Sequence, residues 1–250
     1  MTKRILILGG TTEAQDLYLS LQEQLPEIEL SYSLSGATDN PADFGANMRI
    51  GGFGGIQGLT EHLESHDFDA LLDATHPFAE RITAHAVAAC EAAGVPRLRL
   101  ERSQWVLPTK TDAVFVPDAI EAANLLVRTT SENAFLTIGR MALSAFEGMD
   151  KTHLLVRLLE EPSAPLALTH HTLVTGRPPF SVDEEEALMR EHNIDTLVTK
   201  ASGGDATRAK LDAAERVRAR IILIRRPIPP DGDRVFSVEE AVAWAKKLSV

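Results

Sequence analysis

Short runs of consecutive apolar residues alternate along this chain with longer stretches whose apolar positions recur every three to four residues. Runs without polar alternation mark strands buried on both faces, and the helical stretches between them mark the crossovers of a parallel sheet. On this pattern strands are expected at 5–8, 29–34, 69–73, 97–100, 113–116, 134–138, 153–158, 172–174, 195–199 and 221–224. Helices are expected at 12–24, 59–65, 78–93, 118–128, 182–192, 207–219 and 237–248. Ser237 with Glu240, and Thr12 with Gln15, have the spacing of capping boxes. The polar stretch 103–112 separates about five strand–helix units on each side. The expectation is therefore an α/β fold of two doubly wound domains with mostly parallel sheets, residues 1–108 and 109–250. An interdomain cleft is the expected binding site.

Composition narrows the function classes. The 250 residues carry 25 Lys plus Arg against 36 Asp plus Glu, a net charge of −11, with 5% aromatics. That balance opposes a broad grip on nucleic acid or on an anionic membrane surface. The single cysteine, Cys90, excludes an intrachain disulfide framework and reads as a small buried residue of an Ala-rich helix. The apolar run at 5–8 is too short for a signal-peptide core, and no run reaches membrane-span length. A cytoplasmic protein is expected.

Three glycine-rich turns stand between an expected strand and an expected helix. The first is Gly9-Gly10-Thr11-Thr12-Glu13, the second Gly51-Gly52-Phe53-Gly54-Gly55, and the third Thr199-Lys200-Ala201-Ser202-Gly203-Gly204. Such turns let a backbone approach a phosphate at a helix N-terminus, and each is equally readable as a tight connection without a ligand. The second strand ends in Ser33-Leu34-Ser35-Gly36, without the acid that binds an NAD ribose, and Asp39 lies beyond the glycine. This favours NADP over NAD. The loop Asp73-Ala74-Thr75-His76-Pro77-Phe78 leaves a strand's carboxyl end, where His76 serves either as a proton donor or as a loop-orienting group. The adjacent His170 and His171 would face opposite sides of a strand, and Glu184-Glu185-Glu186 reads as an acidic first helical turn.

The chain resembles the precorrin-6A reductase family of cobalamin biosynthesis, which includes the cobalt-precorrin-6A reductases. The resemblance runs nearly end to end. It is carried by residues 8–14 (LGGTTEA), 49–55 (RIGGFGG), 71–79 (LLDATHPFA), 89–96 (ACEAAGVP), 100–102 (LER), 138–140 (IGR), 199–204 (TKASGG) and 225–227 (RRP). It implies two Rossmann-like domains, with the active site in a cleft between them. It also implies a nicotinamide-dependent reduction of one double bond of a corrin-precursor macrocycle rimmed by carboxylates. On that reading Gly9, Gly10, Thr11, Thr12, Glu13, Gly52, Gly54 and Thr75 contact the cofactor, NADPH with NADH as the alternative. Arg140, Arg177, Lys200, Ser202 and Gly203 hold substrate anions, and His76 is the candidate acid. Arg102 and Arg226 serve either the site or structural ion pairs. The chain departs from the family pattern at Gln15 and Ala37, where arginine is usual, and at Arg177-Pro178-Pro179-Phe180, where the usual loop has glycine after the arginine.

Two further classes remain at this level. One is a tetrapyrrole-pathway methyltransferase, and the other a non-catalytic nucleotide-sensing module. The paired strand–glycine–helix turns suit a single methyl-donor site less well.

Overall fold

A computed structural model describes residues 2–36, 47–107 and 111–248. Ala37, Asp39 and the expected boundary between 108 and 109 lie outside the described residues. The chain forms two compact units, one made of Met1–Ser103 with Pro227–Val250 and the other of Gln104–Arg226.

The first unit runs β1 (Arg4–Leu8), α1 (Thr12–Gln24), β2 (Glu29–Leu34), β3 (Met48–Ile50), α2 (Gly55–Ser65), β4 (Ala70–Asp73), α3 (Glu80–Ala93) and β5 (Arg97–Leu100). The second continues with β6 (Ala113–Val116), α4 (Ala119–Arg128), β7 (Asn133–Thr137), a 3-10 segment Arg140–Phe146, β8 (His153–Leu158) and β9 (His171–Thr175). It ends with α5 (Val182–Glu191), β10 (Thr196–Lys200), a 3-10 turn Asp205–Thr207, α6 (Ala209–Val217) and β11 (Arg220–Ile224). The chain then returns to the first unit with β12 (Arg234–Val235) and α7 (Val238–Lys246).

Each unit is built on a six-stranded sheet, ordered β12-β5-β4-β1-β2-β3 in the first and β6-β11-β10-β7-β8-β9 in the second. All pairings are parallel. The two orders are the same once β12 is matched to β6 and β1 to β7. β6 with α4 precedes the sheet it edges, whereas β12 with α7 reaches its sheet only after the other unit is complete. The second expected domain, 109–250, is thus shortened to end at Arg226. The physical reason is burial: Ala241, Val242 and Ala245 of α7 pack with Leu17 and Leu21 of α1 in one core cluster.

The apolar runs do what their pattern implies. Ile5 and Ile7 of β1 face the α1/α7 layer, while Leu6 and Leu8 face α2 and α3. In the second unit Phe135, Leu155, Leu197, Ile221 and Leu223 share a core with Met189 of α5 and Leu211 and Ala214 of α6. Two strands, β3 and β12, were not expected. They have three and two residues, stand at sheet edges and are largely open to solvent, so neither carries an apolar run. Cys90 is buried in α3, and burial pushes its thiol up to about 12.

Candidate active site

In the first sheet β1 lies between β4 and β2, and the chain order reverses on passing from one side to the other. The turn after β1 and the loop after β4 therefore leave neighbouring parallel strands at the carboxyl ends, where open α/β sheets bind ligands. Gly9 is required there because a Cβ would stand 2.2 Å from the Tyr32 ring. Gly10 has φ 108°, and its N–H donates to the Tyr32 hydroxyl at 3.3 Å. Burial drives the Tyr32 phenol up to about 12, so it stays protonated.

The N-cap of α1 is Thr11, not Thr12, and no capping box with Gln15 forms. The Thr11 hydroxyl accepts from Ala14 N–H at 3.0 Å and donates to the Ala74 carbonyl at 2.9 Å. One side chain thus ties the glycine turn to the loop after β4. The cap serves a single amide, which leaves the Thr12 and Glu13 N–H groups at the open end of the helix. Glu13 is not a free carboxylate in that first turn. Arg102 approaches it at 2.7 Å from Nε and 2.6 Å from a terminal nitrogen, cancelling its charge.

Beyond β3, Gly51, Gly54 and Gly55 have φ 113°, 86° and 92°. Gly54 is the N-cap of α2 and has no side chain with which to cap it, so its first amides are also open. The Gly52 carbonyl accepts from Arg49 at 2.9 Å, and the Arg49 guanidinium lies 4.7 Å from the centre of the Phe53 ring.

The loop after β4 is held from inside. Asp73 is fully buried and ion-paired with Arg99 of β5 at 2.6 Å. Thr75 donates to Asp73 Oδ1 from its amide at 3.1 Å and its hydroxyl at 2.7 Å, so its side chain turns inward. His76 is half-buried, and its Nδ1 accepts from Phe78 N–H at 3.2 Å. A neutral ring therefore keeps its proton on Nε2.

The second sheet repeats the arrangement with β7 between β10 and β8. Here the carboxyl ends carry Gly139-Arg140 and the turn from Lys200 to Gly204. Gly139 has φ 79°, and a Cβ there would stand 4.0 Å from Lys200 Nζ. Burial lowers the Lys200 pKa. Arg140 is exposed and has no ion pair among the described residues. Ser202 is buried, with its amide on the Lys200 carbonyl at 2.7 Å. Gly203 and Gly204 have φ 68° and 78°. Arg226 donates to the Ser202 carbonyl at 2.8 Å and Trp105 Nε1 to the Gly204 carbonyl at 2.7 Å. The carbonyls of this turn are thus held by fixed donors. Arg102 and Arg226, undecided from sequence, prop the two glycine turns.

Arg177 is the outlier of the predicted set. It follows β9, an edge strand two positions from β7, and ion-pairs with Glu160. The structure brings Arg140, Lys200, Ser202 and Gly203 together and leaves Arg177 apart from the β7/β10 switch point. Sequence reasoning missed Arg49, Arg99 and Thr83, and it read Glu185 only as part of the acidic first turn of a helix, where it does lie. Glu185 is buried and makes a two-pronged pair with Arg157 at 2.6 and 2.9 Å, with Arg157 lying over the Phe135 and Phe180 rings. Among the described residues no group of three metal-ligating side chains occurs, and no helix is long and apolar enough to cross a membrane.

A family model described as "Precorrin-6x reductase CbiJ/CobK" matches residues 4–246. The chain belongs to the precorrin-6x reductase family. The precorrin-6A reductase of Rhodococcus erythropolis is 42% identical over 98% of both chains. That of Rhodobacter capsulatus is 37% identical over 96% of this chain and 95% of its own. The cobalt-precorrin-6A reductase of Salmonella typhimurium is 27% identical over 98% and 95%. A solved structure of CobK precorrin-6A reductase superposes with a TM-score of 0.93 at 36% identity, covering 99% of this chain and 98% of that one. Precorrin-6A reductases are nicotinamide-dependent oxidoreductases, and membership in their family sets aside the methyltransferase and sensor readings. A pyrophosphate-bearing cofactor fits the donor set described above: a φ-positive glycine, two helix N-termini with open amides, and an acid already neutralised.

Proposed function

We propose that this protein reduces one double bond of precorrin-6A, or of its cobalt form, with NADPH as the electron donor. The observation that carries the reading is the pairing of the open amides of Thr12 and Glu13 with the His76 loop at the β1/β4 switch point. A nicotinamide nucleotide held there would supply the hydride for one ring carbon. The amides of Thr12 and Glu13, with those opening α2 behind Gly52 and Gly54, receive its phosphates. Thr75 lines the site through its backbone carbonyl, since its amide and hydroxyl are both engaged by Asp73. His76 holds a proton on Nε2 for the neighbouring ring carbon. Arg140, Lys200, the Ser202 hydroxyl and the Gly203 amide hold rim carboxylates, with Arg177 reaching a peripheral one.

NADPH is preferred to NADH on two grounds. β2 ends without a carboxylate, and Arg49 of β3 is in register with Ser33 of β2. A cation beside that strand end suits a 2′-phosphate. The test is fluorescence titration with both nucleotides, followed by absorbance on adding the oxidised macrocycle. NADPH should bind at least about tenfold tighter than NADH, and Arg49→Gln should erase the difference without weakening NADH. Equal affinities in the parent protein would remove the NADPH preference, and binding of neither would remove the reductase reading.

A further inference from the structure

We infer that Asp73, Arg99 and Thr83 form a positioning network that sets the Thr75–His76 loop for cofactor binding. The inference rests on the reading that the Gly9–Glu13 turn and this loop hold the nicotinamide nucleotide. The four side chains close a ring. Asp73 Oδ2 accepts from Arg99 at 2.6 Å, the same Arg99 nitrogen donates to Thr83 at 2.8 Å, the Thr83 and Thr75 hydroxyls are 3.3 Å apart, and Thr75 returns to Asp73 Oδ1 at 2.7 Å. All four residues are buried, with exposures of 0% for Asp73, 4% for Arg99, 2% for Thr83 and 8% for Thr75.

Stability does not account for this ring. Desolvating a carboxylate and a guanidinium cancels most of what their pairing gains, and a well-packed apolar pair often does as well. The ring is also incompletely satisfied, since Arg99 Nε is buried without a partner. A device serving stability alone would not leave a buried donor unmet. Geometry is what the ring does provide. Arg99 and the Thr75 hydroxyl grip opposite oxygens of Asp73, so the carboxylate cannot rotate. The Thr75 amide bonded to that carboxylate fixes the chain one residue before His76. Ala74, inside the same turn, accepts from Thr11, so the ring also sets the head of α1. Three elements, β4, β5 and α3, thereby fix one loop and one helix cap.

The experiment compares the parent protein with Asp73→Leu/Arg99→Met, Thr83→Val and Thr83→Ser. Thermal melts, NADPH affinity by fluorescence, and kcat and KM for the macrocycle are measured on each. The double variant should melt within about 5 °C of the parent, because the charges leave together. Its NADPH Kd should rise about tenfold and its kcat fall by a similar factor, while the macrocycle KM stays put. Thr83→Val should raise the Kd about threefold, and Thr83→Ser should restore it. A folded double variant with the parent's NADPH Kd overturns the inference. If the double variant does not fold, equal and parent-like Kd values for Thr83→Val and Thr83→Ser overturn it. A parent protein that binds no NADPH overturns the functional reading, and the inference falls with it.

Discussion

Lys200 shows how one residue's chemistry depends on its setting. Read in the sequence it is a cation beside glycines. In the structure burial lowers its pKa below the usual 10.5, so its ammonium is lost at a lower pH than that of an exposed lysine. The sign is fixed: as pH rises through the lowered pKa, the side chain stops attracting carboxylates. The macrocycle KM should therefore climb on the alkaline side before pH 10.5, and Lys200→Arg should flatten that climb because a guanidinium stays charged. Lys200→Ala should raise KM about tenfold or more with kcat little changed, since a carboxylate contact binds ground and transition states alike. Steady-state kinetics across the pH range check both. At the same scale Glu185 shows the limit of sequence reading. Three consecutive glutamates look alike on paper, and only the packing of α5 on β8 turns the middle one inward onto Arg157.

At the scale of elements, helix ends and strand ends carry the site. The capping box of α7 at Ser237 and Glu240 formed as its spacing predicts, whereas the N-cap of α1 is Thr11, one residue before the Thr12 expected, and Thr11 also bonds to Ala74. That second bond comes from a residue 63 positions away and leaves no local trace. α2 carries a consequence of its own. His62 packs near the rings of Phe53, Phe68 and His66, and burial, with the charges of His66 and Arg49 adding to it, lowers its pKa to about 4. An unfolded chain holds this histidine nearer 6.5, so it binds the proton first as pH falls. Stability is therefore complete above pH 6.5 and declines between 6.5 and 4, by on the order of 1 kcal/mol from this group, because solvent screens a partly exposed ring. His62→Phe should remove that part of the decline in urea titrations across the window.

The molecule has two similarly ordered sheets, the first of which takes its edge strand β12 from the end of the chain. Both were legible as doubly wound, because their central strands carry unbroken apolar runs. The return of the last strand and helix was not legible, because β12 is two residues long and α7 looks like any amphipathic helix. A chain ended at Arg226 should lose the fold of the first unit, since the α1 side of its core would lie open to water. The second unit, continuous from Gln104 to Arg226, should keep its own cooperative melt. A calorimetric scan with both units still folded would contradict this division.

The sequence by itself determined the alternation of strand and helix, the three glycine turns and the kinship with precorrin-6x reductases. These are local or linear properties, set by side-chain period, by backbone freedom at glycine and by motifs in order. Tertiary structure alone decided which turns share a switch point, which arginines prop those turns, and that Arg177 stands at an edge. It also closed the Asp73–Arg99–Thr83–Thr75 ring. Those outcomes depend on strand order and on contacts between residues far apart in the chain, for which neither period nor spacing carries a signal.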